Sequence, residues 1–151
     1  MPSYCTIEEA NEYFASRLFV DVWESADEAT KEKALAMATR KIDRIPFKGK
    51  KAIEYQENAF PRCFKYYNAW GSYWDCQIEV PEAIKVACCE EARAILSIGD
   101  SARLELQQQG VQSYNLSGMA ETFKPGAGKG LLSQEAKELL AFYKTSGVGF
   151  A

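Results

Sequence analysis

Apolar residues recur at helical intervals in four stretches of this chain. Ile7, Ala10, Phe14 and Leu18 fall on one face, with Tyr13 beside them. Thr6-Ile7-Glu8-Glu9 has the form of a capping box, so the first helix is predicted to begin at Thr6. Phe19 to Trp23 turns the corner, with Trp23 against the core. Leu35, Ala38, Ile42 and Ile45 make the buried stripe of a second helix, capped by Ser25 or Asp27. Pro46 stops that helix, because proline disfavours the helical conformation in the residue before it. Val80-Pro81-Glu82 restarts helix, with proline at the first helical position. Ile84, Ala87, Cys88, Ala92 and Ile95 line one side of this third helix, which runs to about Ile98-Gly99. Val86, Cys89, Ala94 and Leu96 make its other side apolar too, as suits the centre of a bundle or a face turned to a partner. A last helix starts at Ser133 and carries Ala136, Leu139, Leu140 and Tyr143.

The helical pattern gives way in four segments. Phe47 to Ala59 is a basic connector with a turn at Lys48-Gly49-Lys50. Phe64, Tyr66, Tyr67, Trp70, Tyr73 and Trp74 then crowd together, interrupted by Asn68, Gly71 and Ser72. This run has too little alternation for one strand and too much Gly and Asn for a helix, so it reads as a bulky loop. Its rings need cover from the chain's own helices, a neighbouring subunit or nucleic-acid bases. Two short β-like runs around Ser117-Gly118, ending at Phe123, read as a hairpin that needs a surface to lie on. Lys124 to Gly130 is a flexible link and lacks the spacing of a phosphate loop, since Phe123 and Gly130 stand at its two defining ends.

These elements predict one domain over residues 1–151. It comprises a helical core at 4–99, a hairpin arm at 104–123, a linker at 124–132 and a C-terminal helix and tail at 133–151. The expected fold class is mainly α, a small bundle of about four helices with a β-hairpin excursion.

Composition narrows the chemistry. The chain has 151 residues, 47% of them hydrophobic, and no histidine. Histidine is the usual general base near neutral pH, and its absence also removes the common zinc patterns. The carboxylates, Glu90 and Glu91 among them, read as solvated helix faces. No catalytic, cofactor or metal site is expected, and the chain is not expected to be an enzyme. The five cysteines show no CxxC spacing and read as reduced structural thiols. Met1 to Tyr4 has neither the basic region nor the apolar core of a secretory signal, and no apolar run is long enough to span a membrane. The formal net charge of −3 is uneven: −5 over residues 1–39, +5 over 40–65 and −3 over 66–151.

The motif order carries a resemblance. Tyr4 to Phe14, Ala34 to Asp43, Phe47-Lys48-Gly49, Phe60-Pro61-Arg62, Val80 to Lys85 and the Gly110–Phe123 hairpin resemble a family of small tailed-phage proteins. These often go under the label DnaT-like single-stranded-DNA-binding protein, and they also look like head–tail connector proteins. The resemblance covers most of residues 4–123; the aromatic stretch at 64–76 is longer than the family leads one to expect.

Two functions follow as expectations. In the first, the chain is a structural virion protein of the phage neck, made in the host cytoplasm. The resemblance then implies an adaptor ring of twelve copies joining the portal to a tail-side neck or tail-terminator protein, with double-stranded DNA passing through. Its subunit and portal contacts are expected at Arg40, Lys41, Arg44, Tyr66, Tyr67, Trp70, Trp74, Tyr114, Leu116, Met119, Phe123, Leu140, Tyr143 and Phe150. In the alternative, the 60–74 stretch binds single-stranded DNA, with Arg62 and Lys65 as cations and Tyr66, Tyr67, Trp70, Tyr73 and Trp74 as stacking surfaces. The acidity of the chain weighs toward the adaptor, because phosphate neutralisation supplies most non-specific affinity.

Overall fold

The computed structural model describes residues 2–98, 109, 111, 113–116, 119–122 and 130–145. Helix α1 (Ile7–Ala15) opens as the sequence predicts: the Glu9 amide donates to the Thr6 hydroxyl at 3.2 Å, and the Glu9 carboxylate accepts from the Thr6 amide at 2.9 Å. The short α2 (Asp21–Glu24) buries Trp23, whose indole N–H donates to Asn11 Oδ1 at 2.9 Å. Helix α3 (Glu28–Asp43) is capped by Asp27 and buries Leu35, Ala38 and Ile42. Helix α4 (Glu82–Ile98) is the central element, with α3 and the C-terminal α5 (Gln134–Ala141) packed along it. Trp23, Leu35, Ile42, Ile84 and Leu140 are the largest apolar side chains sealed in the core between them.

The expected helical bundle is corrected by a sheet. Strands β1 (Lys50–Lys51), β2 (Arg62–Asn68) and β3 (Gly71–Cys76) form a three-stranded antiparallel sheet in that order. With five helices and five strands among the described residues, the fold is mixed α and β. The aromatic stretch is therefore a hairpin, not a loop. A single-strand reading missed it because the run folds in half. Asn68 pairs with Gly71 across a two-residue turn, the Asn68 side chain accepts from the Trp70 amide at 2.9 Å, and Gly71 takes a φ of 130°. Tyr, Trp and Phe then occupy strand positions that suit them.

Three further expectations change. Cys63 and Cys76 face each other in the β2–β3 register and form a disulfide, whereas Cys5, Cys88 and Cys89 are buried free thiols as expected. Leu18 lies past the end of α1 and is 81% exposed instead of continuing its apolar face. Glu90 and Glu91, read as a solvated face, are both 0% exposed. Helix α4 is enclosed on several sides, so even its polar positions face other elements.

Those two carboxylates dock the C-terminal segment. Glu91 accepts from Lys41 Nζ at 2.9 Å and from the amides of Leu132 and Ser133 at 2.8 and 2.9 Å. It thereby neutralises a lysine and satisfies free amides where α5 begins. Glu90 accepts from Tyr13 Oη at 2.9 Å and from Arg93 at 2.9 Å, with Arg17 3.0 Å away. Arg17 in turn reaches Glu135 of α5 at 2.8 Å.

The predicted second hairpin is present as β4 (Ser113–Leu116) and β5 (Met119–Thr122), with Leu116 opposite Met119. Tyr114, Leu116 and Met119 are placed by their strand positions. Phe123, Phe150 and the 124–129 link lie outside the described residues. Among the described residues, no helix is long and apolar enough to cross a membrane.

Candidate nucleic-acid interface

The base of the β2–β3 hairpin is anchored by polar bonds. Arg62 is buried, and its guanidinium donates to the carbonyls of Lys48 and Gly49 at 2.8 Å each, of Ala59 at 3.1 Å and of Phe47 at 3.3 Å. The Phe47 and Phe60 rings lie 5.9 Å from it. Burial lowers its pKa from the usual arginine range, with Tyr4 and Asp43 opposing. Tyr4 reinforces the same corner: its hydroxyl donates to Asp43 and accepts from the Ala59 amide at 3.0 Å. Gly49 is required here by its φ of 73° and because a Cβ would stand 2.1 Å from the Cys63 carbonyl oxygen.

Beyond this base the hairpin projects from the body. Opposed residues of an antiparallel pair share a face. Lys65 pairs with Trp74, Tyr67 with Ser72, and Lys50 of β1 with Cys63, which puts Lys50, Lys65, Tyr67 and Trp74 on one face. Lys50 Nζ stands 4.4 Å from the Trp74 ring centroid, and Lys65 Nζ 5.5 Å from that of Tyr67. Both distances are within cation–π range. The opposite face carries Phe64, Asp75 and the Tyr66–Tyr73 pair, stacked at 5.7 Å. Phe64 also meets Tyr143, at 6.2 Å, which ties that face to the body.

All five outer rings reach water, from Tyr66 at 42% exposure to Trp70, in the turn, at 96%. Trp74 borders two grooves. One, of about 560 Å³, runs past Lys50, Lys51 and Cys76; the other, of about 500 Å³, runs past Lys48, Lys65, Tyr67 and Phe142. A cation–ring ladder beside such grooves can neutralise a phosphodiester chain and stack its bases.

The structure brings together only part of the residue set predicted from sequence. Lys65, Tyr67 and Trp74 converge as expected, with Tyr66 and Tyr73 on the reverse face. Arg62 is removed from the set, because all three of its guanidinium nitrogens donate to backbone carbonyls. Lys50 enters it by pairing with Cys63 beside β2, and Lys48, whose Nζ also donates to the Phe142 carbonyl at 3.0 Å, by lining the groove past Trp74. Arg40 on α3 and Arg44 at its C-cap are exposed, while Lys41 is tied to Glu91. Leu140 is sealed in the core, and Tyr143 packs edge-on against Phe60 at 5.3 Å, so both serve the body. Among the described residues, no group of three Cys, Asp or Glu is placed to hold a metal ion.

No curated protein and no solved structure is similar to this chain. Nothing in these comparisons supports the head–tail connector assignment. A family profile does match, over residues 1–145, and so spans both the hairpin and the helices that carry it. The chain thus belongs to the family described as "Putative DnaT-like ssDNA binding protein".

Proposed function

We propose that this chain is a binding protein for single-stranded DNA, with no catalytic step, and that the β2–β3 hairpin is its contact surface. The observation that carries this reading is the single face on which Lys50 sits over Trp74 and Lys65 beside Tyr67, with the rings open to solvent. Extended single strands offer unpaired bases to such rings, whereas a duplex keeps its bases stacked inside. Of the nearby carboxylates, Asp75 lies on the other side of the hairpin, while Glu54 lines the groove beside Lys50 and Lys51. Titration with an oligothymidylate at several salt concentrations tests the reading. Three lysines (Lys48, Lys50 and Lys65) acting on phosphates give a slope of about −2 in log affinity against log salt. Equal affinity for duplex, or no binding at moderate salt, overturns it.

A second reading is favoured by one observation. Trp70 is almost fully exposed in a turn whose other residues, Asn68, Ala69 and Gly71, carry no cation. A bare indole there suits a protein contact, as in a ring of copies seated on a phage portal. Native mass of the chain with and without portal, run beside the titration, separates the two. A portal-dependent ring without DNA binding selects the adaptor.

A further inference from the structure

We propose that the Cys63–Cys76 disulfide is a redox clasp that sets the DNA affinity of the hairpin, an inference that rests on the DNA-binding reading. The bond joins the first pair of the β2–β3 register, at the point where buried residues give way to exposed ones. Every residue of β3 is exposed, and its principal neighbour is β2. A two-stranded ribbon is marginal by itself in water, so such a strand depends on what closes its base. Here the closures are the disulfide and two hydrogen bonds, from the Gln77 amide to the Arg62 carbonyl at 2.9 Å and from the Arg62 amide to Gln77 Oε1 at 3.1 Å. The Trp74 ring is two residues from Cys76, so loss of the clasp loosens the Lys50–Trp74 and Lys65–Tyr67 ladder first.

Access selects the attacked sulfur. Cys63 is buried and Cys76 is exposed, in the wall of the groove that Lys50 and Trp74 share. A small dithiol therefore attacks Cys76 Sγ as a thiolate. The Cys63–Cys76 bond breaks, a mixed disulfide forms on Cys76, and Cys63 departs as a thiolate and takes a proton from solvent. The second thiolate of the reagent then closes its own disulfide and releases Cys76, which is protonated in turn. Two electrons pass from the dithiol to the protein.

The remaining thiols do not compete. Cys5, Cys88 and Cys89 are buried, with the Cys5 and Cys89 sulfurs 3.4 Å apart. The Cys5 pKa rises: its hydrogen bond with Cys88 lowers it, but that with Cys89 and burial outweigh this. Cys88 is raised by its bond with Cys5 and by burial. Thiols held protonated in this way are poor nucleophiles.

The test measures oligothymidylate affinity and amide hydrogen exchange on the full chain, oxidised and after dithiothreitol, with Cys76→Ser as a permanently open form. The clasp predicts at least a tenfold loss of affinity in both open forms. It also predicts faster exchange over residues 64–75 and unchanged exchange in α3 and α4. Equal affinity in the two redox states overturns the clasp and leaves the DNA-binding reading standing. Binding in neither state sinks that reading and the regulation with it. Exchange that does not change on reduction sinks the clasp independently of any DNA measurement.

Discussion

The helical body and the β2–β3 hairpin invert the usual division of polar and apolar groups. The body encloses two carboxylates, Glu90 and Glu91, while the hairpin leaves five aromatic rings in water. The buried carboxylates are surrounded by donors from α1, α3, α4 and the start of α5, so their charge is matched and they fix how the elements meet. The rings of the hairpin largely meet one another and lysines, and such a surface is free to receive a ligand. Burial of polar groups here marks architecture, and the cluster of exposed rings marks the surface proposed for binding.

The sharpest way to break this contrast is to remove a buried carboxylate. Glu91→Ala leaves Lys41 unpaired and the Leu132 and Ser133 amides without an acceptor. We expect a loss of about 3–5 kcal/mol in denaturant unfolding, with α5 released. A smaller loss would mean that the segment docks through Leu140 and Ala136 alone.

The second test uses pH. Burial and the bond to Asp43 raise the pKa of Tyr4, and burial and the bond to Glu90 raise that of Tyr13. For both, the fold favours the protonated form. Their stabilisation is complete below the unfolded value of about 10 and is lost as pH climbs beyond it. The chain has no histidine, and Cys5 and Cys88 are pushed upward. Urea midpoints should therefore be nearly flat from pH 6 to about 8, decline once pH passes the unfolded thiol value of about 8.5, and fall more steeply above 10.

On the hairpin the expected effects are on binding instead. Trp74→Ala should weaken single-strand binding by about 1–3 kcal/mol, the usual worth of one stacked base. Its stability should change by no more than about 0.5 kcal/mol, because the ring is half exposed. A variant that loses stability and keeps affinity would place Trp74 with the body. The smallest effect belongs to the α1 cap: Thr6→Ala should cost about 1 kcal/mol of stability and leave DNA affinity unchanged.

The sequence was sufficient wherever a signal is local. Thr6 and Glu9 close their capping box with each other, Pro46 ends α3 through its own ring, and the periodic stripes of α3 and α4 are buried largely as their spacing requires. The same holds for Ser133, which caps α5. What it could not supply was which distant residues meet. Cys63 and Cys76 read as unrelated thiols until the register put them opposite each other. Asn68 and Gly71 look like loop residues, yet together they fold the aromatic run into two strands. Arg62, a surface cation by composition, is consumed by four carbonyls from two segments. Glu90 and Glu91 carry nothing in their own neighbourhood that announces burial; only the arrival of Tyr13, Lys41 and the 132–133 amides explains it. Composition and periodicity determined the helices and their caps, because those depend on neighbours within one turn. Tertiary structure decided the sheet, the disulfide and the cation–ring face, because each depends on contacts between residues that the chain itself keeps apart.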